Sequence, residues 1–123
     1  MKKEVSEIRE SLHELLKEQV PPLKIRNNSD KNFEVAGTKE AMQGKQKVNG
    51  FYFASVVPKP KDVRLYFFPI YTHSDKFSPS DELKKFLKGK SCFHIKYLSP
   101  ELEAELKKII SKGVQLYQQD GLI

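Results

Sequence analysis

The chain of 123 residues has no tryptophan and a single cysteine, Cys92. One thiol excludes an internal disulfide, and with it the stapled scaffolds of small secreted domains. No apolar run approaches the ~18 residues of a membrane-spanning helix, and Met1-Lys2-Lys3-Glu4 leads straight into amphipathic sequence with no apolar signal core. The expectation is therefore a cytoplasmic protein with no membrane attachment. Walker loop, GxGxxG, CxxC and HExxH are all missing as well, so any chemistry must come from residues scattered along the chain.

What is present is enough for one domain spanning residues 1–123. A hydrophobic fraction of 38%, with eight Phe and five Tyr, can fill a core, and a chain of this size buries roughly two thirds of its unfolded surface. The net charge of +6 permits weak attraction to polyanions. However, the 22 Lys and Arg are interspersed with 16 acids, and only Lys39 to Lys61 is noticeably of one sign. A solvated basic surface is expected, not specific nucleic-acid binding.

The densest apolar stretch, Asn49 to Pro69, predicts the central hairpin of a sheet. In its first arm Phe51, Phe53, Ser55 and Val57 alternate with Tyr52, Ala54 and Val56, as the two-residue period of a strand requires. In its second arm Val63, Leu65 and Phe67 alternate with Arg64, Tyr66 and Phe68. Apolar residues on both faces imply central strands, and Pro58 and Pro60 in the connection imply a stiff loop outside the sheet.

Before this hairpin, Val5, Ile8, Leu12, Leu15 and Leu16 recur at helical spacing between Lys2 and Val20, and Pro21-Pro22 ends the helix. Leu23 to Gly37 reads as a more exposed hairpin turning at Asn27-Asn28-Ser29-Asp30. Thr38 to Lys47 reads as a loop or short helical turn. After it, Ser78 as N-cap with Pro79 at the first helical position predicts a short helix through Leu83, Phe86 and Leu87 that stops at Gly89. Ser91 to Leu98 alternates as a half-buried strand, and Ser99-Pro100-Glu101 starts a final helix. Gly113 inside that helix costs about 1 kcal/mol relative to Ala, which a close approach to the sheet would justify. Strands and helices that segregate in this way predict an α+β domain: a curved, mainly antiparallel sheet with an N-terminal helix and two helices from the C-terminal half packed on it.

Four groups of residues can carry function. Tyr52, Tyr66 and Tyr71, with Arg64 and nearby lysines, can line a pocket on the open sheet face for a small anionic or aromatic ligand. Cys92 and His94 are i, i+2 neighbours on one strand face, flanked by Lys90 and Lys96, and a thiol beside an imidazole can serve as nucleophile and base. His73 with Asp75 can begin a metal site or an acid–base pair. Finally, Glu4, Glu7, Glu10, Glu14 and Glu18 form an acidic stripe on the first helix, and open carboxylate coordination of this kind suits a hard cation. His13, at the edge of that helix's apolar face, reads as a boundary residue.

The segments Phe51-Tyr52-Phe53-Ala54-Ser55-Val56, Val63 to Tyr71, Leu83 to Lys96 and the closing Gly-Val-Gln-Leu-Tyr-Gln-Gln-Asp-Gly from Gly113 resemble the YdhG-like family of small bacterial domains of unknown function. The resemblance covers about Gly50 to Ile123 and implies a sheet flanked by helices. One branch of that family, in bacilli, is described as frataxin-like and assigned to intracellular iron delivery, which would give Glu7, Glu10, Glu14 and Glu18 a role in holding iron. Three expectations follow. The first is a non-enzymatic binding protein for a small ligand or protein partner, using Tyr52, Arg64, Tyr66, Tyr71, Lys90, Cys92, His94 and Lys96. The second is an iron carrier using the four glutamates. The third is an enzyme built on Cys92 and His94.

Overall fold

The computed structural model describes residues 1–43 and 45–123. Helix α1 (Val5–Lys17) turns Ile8, Leu12 and Leu16 inward, each 0% exposed. Strands β1 (Lys24–Asn28) and β2 (Phe33–Ala36) form the first hairpin, closed by reciprocal backbone bonds between Ser29 and Asn32. Strands β5 (Tyr52–Pro58) and β6 (Val63–Phe67) form the second; Pro58, expected in the loop outside the sheet, is instead the last residue of β5, opposite Val63, and only residues 59–62 form the connection. With β8 (Cys92–Ile95) and the two-residue β7 (Leu87–Lys88) the two hairpins make one antiparallel sheet in the order β1-β2-β5-β6-β8-β7. The central hairpin is central in fact, and the domain is α+β.

The stretch expected to be a loop between Thr38 and Lys47 is instead a second, two-stranded sheet, β3 (Glu40–Gln43) with β4 (Gln46–Asn49); Gly44 lies outside the described residues. It lacks the apolar alternation that marks a strand because it faces no core: Met42 is 59% exposed, and an exposed Glu40–Lys47 ion pair spans the hairpin. The chain's end straps its base. The Thr38 and Lys39 N–H groups donate to the Leu122 carbonyl, and a Cβ on Gly37 would sit 2.3 Å from the same oxygen, so only glycine fits there.

The predicted two-residue period of β5 fails at Phe53. Val35 pairs with Ala54 and Ala36 with Tyr52, so Phe53 is an extra residue in β5, a β-bulge. The phase resets there. Tyr52 and Ser55 share a face, their hydroxyls 2.6 Å apart, while Phe53, Ala54 and Val56 enter the core.

Helix α2 (Pro69–Thr72), a 3-10 turn (Ser74–Lys76) and α3 (Asp81–Phe86) link β6 to β7. α3 starts two residues later than predicted. Ser80, not Ser78, is its cap, accepting from Leu83 N–H while its own N–H and hydroxyl donate to Glu105 of the last helix. That tertiary contact selects the second serine of Ser78-Pro79-Ser80. Gly89 lies in the turn between β7 and β8 and does not end α3, which stops at Phe86.

Helix α4 (Pro100–Gln119) begins at Ser99 as the sequence predicts, the Ser99 hydroxyl accepting from Leu102 N–H. Its Gly113 is explained by contact: a Cβ there would stand 2.9 Å from Phe67 Cζ and 3.2 Å from two Phe53 ring atoms. α4 therefore lies directly on the Phe53 and Phe67 side of the sheet, and His13 of α1 stacks on Phe33 on that same side. No helix among the described residues is long and apolar enough to cross a membrane.

Candidate ligand-binding face

The other side of the sheet follows from the pairing register. Cross-strand partners share a face, so Glu34, Ser55, Tyr66, Cys92 and Lys88 form one row across β2, β5, β6, β8 and β7. Val57, Arg64 and His94 form the next. The helices occupy the opposite side, and among the described residues no helix packs on these rows. The side chains shelter one another instead, leaving Tyr66, Arg64, Cys92 and His94 half-buried and Ser55 buried.

Of the residues singled out in the sequence, Tyr52, Arg64, Tyr66, Cys92 and His94 are brought together here. Lys96 follows β8 and is exposed, its charge reaching His94. Tyr71 and Lys90 meet at the border, Lys90 Nζ lying 5.2 Å from the Tyr71 ring centroid and Tyr71 packing on Phe68 at 5.6 Å. Phe68 in turn touches Tyr52 at 5.7 Å, and Arg26 lies 5.9 Å from the Tyr52 ring centroid. Sequence reasoning missed Arg26, Asp62 and Lys88. Lys88 becomes visible only once the two-residue β7 is seen to pair with β8, and Arg26 only through the irregular register between Ile25 and Asn27.

The electrostatics of this face do not favour a nucleophilic thiol. Burial pushes the Cys92 thiol above its ordinary pKa, with Tyr66 and Arg64 acting the other way and Asp62 adding to the rise. A reactive cysteine needs the opposite shift. Partial burial, then Arg64, holds His94 below the usual imidazole range; Lys88 and Lys96 act in the same direction and Asp62 against them. Tyr52 is pushed up to about 12, first by burial, its Ser55 hydrogen bond acting the other way. At neutral pH the face therefore presents a neutral thiol, a neutral Tyr52 phenol and several cations. Such a surface can bind an anion or stack a planar ring, but lacks an activated nucleophile.

The acidic stripe lies elsewhere. Glu10, Glu14 and Glu18 border a groove of about 450 Å³ between α1 and α4, together with Leu15 and Glu103; Glu7 is exposed outside it. Cations already occupy its walls: Lys2 donates to Ser11 and Glu103, both at 2.6 Å, and Lys107 stands 3.4 Å from Glu18. Among the described residues no group of three or more His, Cys, Asp or Glu is placed to hold a metal ion. His73 does not pair with Asp75 as a metal or acid–base site would require. Its Nε2 lies 2.7 Å from Asp120 and its Nδ1 2.8 Å from the Thr72 hydroxyl, so it ties α2 to the end of α4. No family model, curated protein or solved structure matches the chain.

Proposed function

We propose that the chain is a non-enzymatic binding protein, of the YdhG-like kind that its sequence resembles, and that it takes its ligand on the uncovered sheet face. One observation carries this reading: the strand register gathers Tyr66, Arg64, Cys92, His94 and Lys88 from three strands onto one contiguous surface. Half-exposed aromatic rings beside cations suit a planar, anionic ligand. A cytoplasmic setting fits the unpaired thiol on this face.

Amide chemical-shift mapping tests the reading, with inorganic phosphate, adenosine monophosphate and an acidic peptide as probes. Shifts clustered on β6, β7 and β8 are expected with at least one of them. No shifts with any probe, or shifts confined to the α1–α4 groove, overturn it. The iron-carrier reading retains Glu10, Glu14 and Glu18 in that groove as its only support. It predicts heat on anaerobic titration with ferrous iron that is lost when Glu7, Glu10, Glu14 and Glu18 are changed to Gln.

A further inference from the structure

We propose that the occupant of this face is single-stranded nucleic acid, its phosphates held by Arg64, Lys88 and Lys96 and a base laid on Tyr66. The proposal rests on the sheet face being the binding surface, and it names the ligand class.

Charge supports it first. The positive residues looked scattered along the chain, but the fold collects them. Arg64 stands directly across from His94, Lys88 across from Cys92, and the Arg64, Lys88 and Lys96 charges all act on His94. Lys59 and Lys61 border a cleft of about 340 Å³ with Arg64 at the end of the same hairpin, and Lys90 lies at the turn beyond β7. Arg26 is neutralised by Glu34 and Arg64 is offset by Asp62 at 3.4 Å. Lys59, Lys61, Lys88, Lys90 and Lys96 have no ion-pair partner among the described residues. Glu10, Glu14, Glu18 and Glu103 sit on the helical side. Lys84, Lys85, Lys108 and Lys112 on the helices have no ion-pair partner among the described residues either, but Glu82, Glu101, Glu105 and the α1 glutamates accompany them. Glu34 and Asp62 beside the sheet face are each already paired with an arginine, which leaves that face basic and complementary to a polyanion.

Shape and chemistry then choose among polyanions. An enclosed site would hold a small molecule by burying most of its surface, whereas this face is an uncovered array of strands about 4.8 Å apart. An extended chain can lie along it. Tyr66 stands in the middle of the cations, and Tyr71, 47% exposed, at their border. Aromatic platforms interleaved with cations are how single strands are bound without sequence readout, because every base offers a ring face and every linkage a phosphate. An acidic peptide would use the cations and leave the rings idle.

The test is anisotropy of a labelled oligouridylate titrated with the full chain at graded KCl. Saturable binding is expected, tighter for the single strand than for a duplex of equal length. Lys88→Gln and Lys96→Gln, both exposed and free of structural contacts, should each reduce the slope of log affinity against log salt by about 0.7. Arg64→Gln should do the same, with the exposed lysines as the cleaner variants because Arg64 also pairs with Asp62. Tyr66→Ala should weaken binding about ten-fold with the slope unchanged. Lys107→Gln on the helical side should change neither. Absent binding, equal affinity for duplex, or an equal response to Lys107→Gln overturns the proposal. If oligouridylate fails while phosphate, adenosine monophosphate or an acidic peptide still shifts the β6 and β8 amides, the nucleic-acid assignment falls and the binding face stands. If nothing shifts them, both fall.

Discussion

Replacing Gly113 by Ala puts two opposed effects into one substitution. In an open helix the change would stabilise by about 1 kcal/mol through backbone propensity. Here the new Cβ would stand 2.9 Å from Phe67 Cζ and 3.2 Å from two Phe53 ring atoms. Neither ring can retreat. Phe67 is held edge-on by Phe53 at 5.5 Å and Phe77 at 5.6 Å, and Phe53 by Tyr117 at 5.1 Å, with Phe53, Phe67 and Tyr117 all 0% exposed. Overpacking of a closed core costs about 1–3 kcal/mol, so after the propensity gain a net loss of up to about 2 kcal/mol is expected. At an unfolding entropy of about 2.1 cal/mol/K per residue, that is a fall in Tm of up to roughly 8 °C. Urea denaturation and calorimetry read both quantities, with Gln115→Ala on the exposed side of α4 as a control expected to stay within about 0.5 kcal/mol of wild type. A Gly113→Ala protein more stable than wild type by about 1 kcal/mol would refute the close packing of α4 on the sheet.

Two further outcomes follow from the core. Tyr117→Phe keeps the buried ring but removes the hydroxyl that donates to the Tyr52 carbonyl at 2.6 Å, and should cost about 1–2 kcal/mol in urea denaturation. His13 is held below its ordinary pKa of 6.5 first by burial and then by Arg9 and Lys17. Because the unfolded chain takes up the proton more readily, His13 contributes stability that is fully present above pH 6.5 and is lost as the pH falls through its lower folded value. Denaturation midpoints between neutral and mildly acidic pH should therefore fall less steeply in His13→Gln than in wild type.

Much of the fold was legible because its signals are local. Ile8, Leu12 and Leu16 at helical spacing, Ser99-Pro100 before α4, and the paired apolar arms around Pro58 and Pro60 each report their own element, and the structure has all of them. What was not legible depends on partners distant in the chain. The bulge at Phe53 needs the register of β2, the choice of Ser80 over Ser78 needs Glu105, and the β3–β4 hairpin has no core face to impose a pattern. The residues of the proposed binding face divide in the same way. Alternation along single strands identified Tyr66, Arg64, Cys92 and His94, but their assembly with Lys88 and Arg26, and the gathering of lysines that looked dispersed, belongs to the order of the strands. The glutamate stripe had a clear period in the sequence, yet α4 brings Lys107 to its end at Glu18, and the groove brings Lys2 beside it.

The chain's one cysteine reports directly on the proposed binding of ligand over β6 and β8. Cys92 lies in that face with its thiol pKa raised by burial, so alkylation by iodoacetamide at neutral pH should be slow in the free protein. Saturating oligouridylate should slow it several-fold further by covering the Tyr66–Cys92–Lys88 row. A rate that oligouridylate, adenosine monophosphate and an acidic peptide all leave unchanged would contradict the assignment of this face.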